Sequence, residues 1–317
     1  MEKNNNFRCC KVVATYFGKR RFYPANADDT IEMLKDFVIH EKNIDSGVKN
    51  LDIIFVNHNC GNTKGNKFLD ELNGERIRNG TIKVLHRPWD DGKGISLRSF
   101  DYAFKLLDKT YDYWFFQEDD YKIMHTDYYI KGINILEKEE KTAYVGYDMY
   151  FWEGIIKDNN LETIEKVFYK DKINRRALIF QLNFVKVIFI LPLMVCGYYG
   201  YIKSFLRTIK KTKELIKKGE LPFCSGMMGL THTKFLTEVI NKYDNLPFPN
   251  IPMSQKQKEF KKINIFTRFN YILSWVLLAV LGEIEFTRIY KDLGYNIKSY
   301  DNLKDLIFSY KKDEFKK

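Results

Sequence analysis

Cysteine is scarce in this sequence. Among 317 residues there are five, and they form neither an even-numbered set nor a CxxC pair. Small secreted domains depend on paired cysteines at regular spacings. The sequence therefore excludes a disulfide framework and fits a reducing cytoplasm. The five residues are Cys9, Cys10, Cys60, Cys196 and Cys224.

Long uncharged apolar segments are also missing. The longest candidate, Val187–Ile202, is interrupted by Pro192 and Gly197 and falls short of the ~20 residues that a spanning helix needs. The opening MEKNNNFRCCKVV has no apolar signal segment, so we expect no export. No internal repeat or low-complexity tract is present. The basic and apolar stretch 176–218 is predicted to lie on an anionic bilayer or, alternatively, to form a core helix followed by a solvated one.

Acidic residues are in deficit. The chain has 52 Lys and Arg against 41 Asp and Glu, a formal charge of +11 and a pI of about 9.1. Such a balance favours anionic partners, although a lysine-rich solvated surface explains it equally well. The basic residues are spread along the chain apart from one dense patch at Arg207–Lys218, which suits a membrane surface. Nucleic acid is therefore not an expected partner.

Strand and helix patterns alternate through the first half of the chain. Lys11–Phe17 and Leu51–Val56 are rich in β-favouring residues, and Asp28–His40 between them carries apolar residues at helical spacing. Such alternation over about a hundred residues predicts an α/β fold with a parallel sheet built from right-handed βαβ units. The remaining predicted elements are a helix at Phe68–Leu72, a strand at Thr81–Leu85, a helix around Leu97–Leu107 and a strand at Tyr111–Phe116.

The fourth predicted strand ends in three consecutive acids, in the stretch FFQEDD. Ligands of open α/β sheets bind at the carboxyl ends of strands, and adjacent like charges repel unless a cation lies among them. Strand neighbours point to opposite faces, so Glu118 and Asp120 can converge on one cation while Asp119 points away. If the strand has already turned, Asp119 is the better ligand. The alternative without a metal is an acidic helix N-cap.

A further candidate carboxylate lies in LGEIEFTRIYKDLGYNI (Leu281–Ile297). Glu283 precedes Phe286 by three residues and is predicted to begin a helix on its inward face. Glu285 is the alternative, but Arg288 three residues later indicates a surface pair. The apolar stripe of this helix is predicted to contain Phe286, Ile289, Tyr290 and Leu293.

Taken together, these segments resemble a GT-A glycosyltransferase of the family 2 type, a group that transfers sugar from a nucleotide-sugar donor. The order and spacing of five blocks carry the resemblance, which covers most of Lys11–Asp148 and two later blocks. FVNHN resembles the family's second-strand VDNGS signature, DDGKGISLRSFDYAF its NxGxxxARNxG-like turn and helix, and FFQEDD its DxD region. SGMMGLTHTKFL resembles its later small-residue strand, and GEIEFTRIYKDLGY its ED-x-E-L…R…GY block.

The resemblance implies a Mn²⁺ or Mg²⁺ ion that holds the donor diphosphate. Glu118 and Asp120 are the implied metal ligands, and His232 would complete the metal shell or bind the acceptor. A hard divalent cation shared between carboxylates and phosphate oxygens suits this chemistry. Glu283 stands where the family carries its catalytic aspartate, so it is the implied base that takes the acceptor proton. The implied donor-binding residues are Tyr16, Asn57, Arg98 and Asp119.

Some positions depart from the family pattern. Gln117 stands where the first acid of DxD often falls, and Asn57 replaces the usual aspartate that contacts the base or ribose. Arg98 is predicted to reach the diphosphate or to pair with Asp101 on the same helix face. These departures leave the donor preference open.

The resulting prediction is a GT-A α/β fold with a helical insertion. Residues 8–150 would form the nucleotide-sugar-binding half, 151–220 a basic and apolar helical insertion, 221–300 the acceptor-binding half, and 301–317 a basic tail. The predicted activity is a metal-dependent, inverting hexosyl transfer to a cell-surface glycan or lipid-linked acceptor at the cytoplasmic side of the membrane. The alternatives are a nucleotidyltransferase and a basic non-catalytic membrane- or nucleic-acid-binding protein.

Overall fold

The computed structural model describes residues 7–18, 24–88, 95–146, 149–151, 206, 210, 222–224, 228–246, 286, 289–300 and 307–309. Over these residues it shows an open, mostly parallel sheet flanked by helices. The predicted α/β fold class is confirmed at this level. Nearly all of the predicted insertion 151–220 and most of the tail 301–317 lie outside the described residues.

The strands and helices alternate along the first half of the chain as predicted. The strands are β1 (Cys9–Thr15), β2 (Leu51–His58), β3 (Arg76–Ile77), β4 (Gly80–Arg87), β5 (Tyr113–Glu118), β6 (Tyr121–Ile123), β7 (Thr142–Gly146), β8 (Met149–Phe151), β9 (Pro222–Cys224), β10 (Gly229–His232), β11 (Asn296–Ser299) and β12 (Ile307–Ser309). The helices are α1 (Ala27–Asn43), α2 (Thr63–Leu72), α3 (Ile95–Leu107), α4 (Tyr128–Lys138) and α5 (Thr233–Tyr243).

Eight strands form the main sheet, in the order β11-β7-β10-β5-β1-β2-β4-β3. The pairs β4–β2, β2–β1, β1–β5 and β7–β11 are parallel, whereas β10 runs antiparallel to both β5 and β7. Strands from both predicted halves of the chain therefore belong to one sheet. The described residues also form two small pairs outside it, β6–β12 and β8–β9.

Capping side chains explain why two helices begin earlier than predicted. The Asn26 side chain accepts hydrogen bonds from the backbone N–H groups of Asp28 and Asp29 at the start of α1. Asn62 accepts from the N–H of Gly65 at 2.8 Å and begins α2 at Thr63. An asparagine oxygen satisfies N–H groups that have no partner within the first turn of a helix. These polar starts carry little apolar periodicity, so the pattern alone missed them.

The two faces of the sheet carry separate parts of the core. On one face, Val12, Ile54 and Phe116 pack with residues of α3 and α5. On the other face, Val13 and Phe55 pack with α1 and α2, and a further cluster lies under α4. Consecutive strand residues thus alternate between the two faces, as the pleat requires. This alternation decides which polar residues can meet at the strand ends.

The predicted helical stripe near the end of the chain is present in the described residues. Phe286, Ile289 and Tyr290 are buried, and the Phe286 ring lies 6.0 Å from the ring of Phe116 in β5. The N–H of Tyr295 bonds back to the Tyr290 carbonyl at 2.9 Å. Gly294, in between, takes the left-handed conformation with φ of +87° that ends the helix.

Within the part of the chain that the structure describes, no helix combines the length and the hydropathy needed to cross a bilayer.

Candidate active site

Polar side chains collect where β1, β2, β4 and β5 end. These four strands are parallel, and their registers place Ala14 beside Glu118 and Thr15 beside Asn57. His58 in turn lies beside Arg87 at the end of β4. Because parallel strands present their carboxyl ends at the same edge, these residues share one edge of the sheet. The structure thus brings the predicted residues Tyr16, Asn57 and Glu118 to the same region.

The three acids lie at the end of β5 and in the turn that follows. Glu118 is the last residue of the strand, and its carboxylate accepts a hydrogen bond from the Ser96 hydroxyl of α3 at 2.7 Å. Asp119 and Asp120 are almost completely buried, with 2% and 1% exposure. Gln117 points to the other face and donates to the Tyr121 carbonyl at 2.6 Å, across the turn. Gln117, which stands where the DxD pattern often has its first acid, therefore holds the turn that carries the acids.

Asp119 connects the acidic turn to the end of β1. Its carboxylate accepts a hydrogen bond from the backbone N–H of Tyr16 at 3.3 Å. The distance is long for a hydrogen bond of this type. The contact places the Tyr16 backbone against the turn, so that β1 and β5 remain in register up to the site.

The donor set suits a hard divalent cation that is held jointly with a ligand. The described residues contain no group of three His, Cys, Asp or Glu side chains arranged to hold a metal ion by themselves. Mg²⁺ in particular is often bound by one or two carboxylates together with substrate phosphates and water. Carboxylates at the end of one strand fit that mode, and they do not fit a metal cage made by the protein alone.

The amide of Asn57 is already committed to other side chains. Asn57 is 1% exposed, and its Nδ2 group donates to Asn66 Oδ1 at 2.7 Å and contacts His86 Nδ1 at 3.0 Å. Strand alternation places Asn57 on the α1 and α2 face, with Phe55, whereas Glu118 is on the α3 face, with Phe116. The NH₂ group of Asn57 is therefore engaged within the protein, and its predicted role in donor binding stays a prediction.

Two residues at this edge were missed from the sequence. His58 follows Asn57 and lies on the same face as Glu118, and its ring lies 5.8 Å from that of Tyr16. Arg87 is a cation with only 2% exposure beside His58. The period-two alternation of β2 was a signal that could have selected His58 over Asn57. Arg87 was missed because the predicted strand Thr81–Leu85 ended two residues before it.

Arg98 lies half-buried on α3, as predicted. The alternative pairing with Asp101 is not the arrangement that the structure shows. Asp101 instead forms an ion pair with Lys105 at 3.0 Å and accepts a hydrogen bond from the Leu246 N–H at 2.8 Å. A role of Arg98 toward a diphosphate remains a proposal.

His232 lies at the opposite edge of the sheet, which corrects its predicted role as a metal ligand. It pairs with Tyr113, the first residue of β5, whereas Glu118 is the last. Five residue steps along a strand span about 16 Å, while metal–nitrogen bonds are about 2 Å long. His232 therefore cannot share an ion with Glu118. The prediction failed because β10 runs antiparallel to β5 and carries its last residue away from the acids.

His232 is instead the N-cap of α5, so its side chain is expected to contribute to stability. Its Nδ1 accepts the Lys234 N–H at 3.0 Å. Burial, followed by the charge of Lys234, lowers the pKa of His232 below its ordinary 6.5. The neutral cap therefore contributes its full stability above about pH 6.5, and the contribution is lost as the pH falls through the folded-state pKa. We expect His232→Ala to lower the free energy of unfolding by about 1 kcal/mol at neutral pH.

Urea denaturation of the wild type, His232→Ala and His232→Asn at about pH 7.5 and about pH 5.5 checks this prediction. Asparagine supplies a capping oxygen that does not titrate, so His232→Asn should keep neutral-pH stability and lose part of the acid sensitivity. Unchanged stability of His232→Ala together with loss of metal binding would contradict the capping role.

Glu283 lies outside the described residues, so its predicted role as a base remains a proposal. The nearest described residue after it is Phe286, which packs against Phe116 of β5. Phe116 precedes Glu118 by two residues on the same face of the strand.

An open groove of about 850 Å³ borders the site between the β1–α1 and β2–α2 loops. It is lined by Tyr16 from the first loop and by Cys60 and Asn62 from the second. Lys64 and Asp28, from the first turns of α2 and α1, also line the groove and form an exposed ion pair. The groove thus has an aromatic side chain, amide groups and both signs of charge available to a polar ligand.

No protein-family model matches this chain, and no curated protein matches it. Among solved structures, it is similar to the mannosyltransferase PcManGT from Pyrobaculum calidifontis, in complex with GDP-Man and Mn²⁺. The identity is 10% and the TM-score 0.43, and the match covers 94% of this chain and 56% of that one. The present chain thus spans little more than half the length of that protein.

Two other solved structures show weaker likeness. Core-mannan synthase A from Aspergillus fumigatus, in its Mn/GDP form, has 11% identity and a TM-score of 0.35, with 95% of this chain and 74% of that chain covered. 4-Diphosphocytidyl-2C-methyl-D-erythritol synthase from Anaerococcus prevotii has 18% identity and a TM-score of 0.27, with 44% of this chain and 54% of that chain covered. Identities and TM-scores this low establish neither a family nor an activity for the present chain.

Proposed function

We propose that this protein is a metal-dependent glycosyltransferase of the GT-A type that transfers a sugar from a nucleotide-diphosphate sugar. The observation that carries the proposal is the arrangement at the carboxyl edge of the sheet. There, the acids of the β5 turn lie beside Tyr16 and close to the open groove. A nucleotide-sugar needs a cation site for its diphosphate and a neighbouring surface for its nucleoside, and this edge offers both.

Glu118 and Asp120 are the proposed metal ligands. A bound Mn²⁺ or Mg²⁺ ion would neutralise the diphosphate charge that develops as the nucleoside diphosphate leaves. The Ser96 hydroxyl orients the Glu118 carboxylate by donating a hydrogen bond to one of its oxygens. Asp119 is assigned a different task, because its carboxylate accepts the Tyr16 N–H and so fixes the end of β1 beside the donor site.

The nucleoside is proposed to bind along the ends of β1 and β2. Tyr16 lines the groove, so its ring offers a stacking surface, and the imidazole of the buried His58 packs near that ring. Two strand spacings separate the ends of β2 and β5, about 10 Å, which suits a base at one strand and a diphosphate at the other. Arg98, half-buried on α3, is proposed to contact the diphosphate.

Glu283 is proposed as the base that accepts the proton of the attacking hydroxyl group, in a transfer with inversion. A base in that role must lie within hydrogen-bond reach of the acceptor. The packing of Phe286 against Phe116 supports this choice, because it brings the chain just after Glu283 to the face of β5 that carries Glu118. The proposed acceptor is a glycan or lipid-linked chain, reached by docking the basic stretch 176–218 on the anionic inner face of the membrane.

Ligand-dependent thermal shifts test the proposal. We expect UDP, GDP or both to raise the Tm only when Mn²⁺ is present, with a free energy of about 2.7 kcal/mol at a concentration 100 times Kd. We also expect the protein to hydrolyse slowly a nucleotide-sugar that carries the nucleoside diphosphate found to raise the Tm. Nucleoside triphosphates that stabilise the protein while diphosphates do not would favour the nucleotidyltransferase alternative. No shift with any nucleotide would refute both enzyme hypotheses.

A further inference from the structure

A chain of amide and imidazole hydrogen bonds runs behind the groove. Asn59 Oδ1 accepts the backbone N–H of Gly61 at 3.0 Å and also Asn66 Nδ2 at 3.1 Å. Asn66 Oδ1 accepts Asn57 Nδ2 at 2.7 Å, and the same Nδ2 group lies 3.0 Å from His86 Nδ1. His86 Nε2 then lies 2.9 Å from Asp70 Oδ1. This series of hydrogen bonds connects the loop that lines the groove to the exposed side of α2.

The groups at the two ends of this hydrogen-bond series determine which side chain donates and which accepts in each bond. At one end, the Gly61 N–H can only donate, so Asn59 must present its oxygen and Asn66 must present its NH₂ group. At the other end, the Asp70 carboxylate accepts, so a neutral His86 ring bonded to it carries its proton on Nε2 and leaves Nδ1 as an acceptor. Both ends therefore require Asn57 to present its NH₂ group. A reversed Asn57 amide would place its oxygen against two acceptors.

Within the described part of the chain, the side-chain hydrogen bonds of Asn57 are made by its NH₂ group alone, to Asn66 and to His86. Its Oδ1 is buried and has no hydrogen-bond partner among the residues that the structure describes. The two N–H bonds therefore supply the polar contacts that hold this side chain. They tie the end of β2 to α2 and β4 at the point where the β2–α2 loop begins.

We infer that His86, acting through Asn57 and Asn66, is a positioning residue for the β2–α2 loop and hence for nucleotide binding in the groove. The inference rests on the proposed function. Gly61 has a left-handed backbone with φ of +79°, and its N–H bond to Asn59 shapes the turn that carries Cys60 and Asn62 into the groove wall. His86 itself does not line the groove, so its effect on a nucleotide is indirect.

Two substitutions at His86 separate positioning from general damage. In His86→Asn, the side-chain oxygen falls near the place of Nδ1 and can still accept from Asn57, while the exposed contact with Asp70 is lost. In His86→Gln, the terminal amide reaches toward Asp70, and no acceptor remains at the Nδ1 position. Only His86→Gln therefore breaks the chain at Asn57. Both variants lose the imidazole ring, so each is a control for the other.

The experiment measures the Kd of UDP and GDP with Mn²⁺ for the wild type and both variants, and backbone hydrogen exchange across residues 59–62. We expect His86→Gln to raise Kd about five- to tenfold and to speed exchange at Gly61, and His86→Asn to stay within about twofold of the wild type. Equal behaviour of the two variants in both measurements would overturn the inference. If the wild type binds no nucleotide, the proposed function fails, and the exchange rates still decide whether His86 positions the loop.

Discussion

Replacing Glu118 with glutamine is expected to lower sugar transfer at least about 100-fold and to abolish the stabilisation by nucleoside diphosphate that depends on Mn²⁺. Glutamine has nearly the same shape, and its amide can still interact with the Ser96 hydroxyl. It lacks the negative charge that a hard cation requires from its ligand. Turnover and thermal shift, each measured with and without Mn²⁺, check the result.

Glu139→Gln is the matched control for Glu118→Gln. Glu139 precedes β7 at the amino edge of the sheet and forms an exposed ion pair with Lys298 at 3.0 Å. The same chemical change there should leave turnover and nucleotide binding unchanged, because exposed ion pairs contribute little to stability and this one is remote from the acids. If Glu118→Gln behaved like Glu139→Gln, the metal site proposed at the end of β5 would be untenable.

The same assay distinguishes the two aspartates that follow Glu118. Asp120→Asn should reduce metal-dependent binding as Glu118→Gln does, since both residues are proposed ligands. Asp119→Asn should retain most of it, because an asparagine oxygen can still accept the Tyr16 N–H. The opposite ranking of Asp119 and Asp120 would mean that the turn presents Asp119 to the cation.

The local spacing of apolar residues was sufficient to predict the parallel strands of the sheet. β1, β2 and β5 are buried strands and β4 is half-buried, amphipathic helices lie between them, and each strand has enough residues for its periodicity to be read. The antiparallel insertion of β10 between β5 and β7 was not foreseen. A four-residue strand such as GLTH carries no signal of its direction or its neighbours, because these depend on packing across the whole sheet.

Sequence reasoning placed Tyr16, Asn57 and Glu118 at one edge of the sheet, as the structure does, but it did not resolve which side chains face each other there. That the acids of the β5 turn come next to Tyr16 follows from one general rule, that polar residues at the ends of parallel strands share an edge. Which neighbour faces the cavity depends on the register, and a shift by one residue exchanges Asn57 for His58. The commitment of Asn57 to Asn66 and His86 involves three separate elements and has no sequence signature.

A buried ion pair at the centre of β1 provides the largest expected effect on stability. Lys11 is 0% exposed and Glu41 of α1 is 3% exposed, and their charged groups lie 2.7 Å apart. The Lys11 ammonium group also lies 4.5 Å from the centre of the Tyr128 ring. Burial lowers the pKa of Lys11, although the neighbouring Glu41 acts in the opposite direction. Removing one partner leaves the other charge buried without compensation.

We therefore expect Lys11→Met to lower the free energy of unfolding by about 3–5 kcal/mol, measured by urea denaturation. Lys42→Met is the matched control, because Lys42 follows Glu41 directly and pairs with Glu75 at 2.7 Å where both side chains are well exposed. Lys42→Met should lower the free energy of unfolding by less than about 1 kcal/mol.

The double variant Lys11→Met with Glu41→Leu removes both buried charges and should recover most of the stability, since apolar pairs of similar volume often replace buried ion pairs without loss. A double variant no more stable than Lys11→Met would show that the cost arises from packing around Lys11 and not from the uncompensated carboxylate.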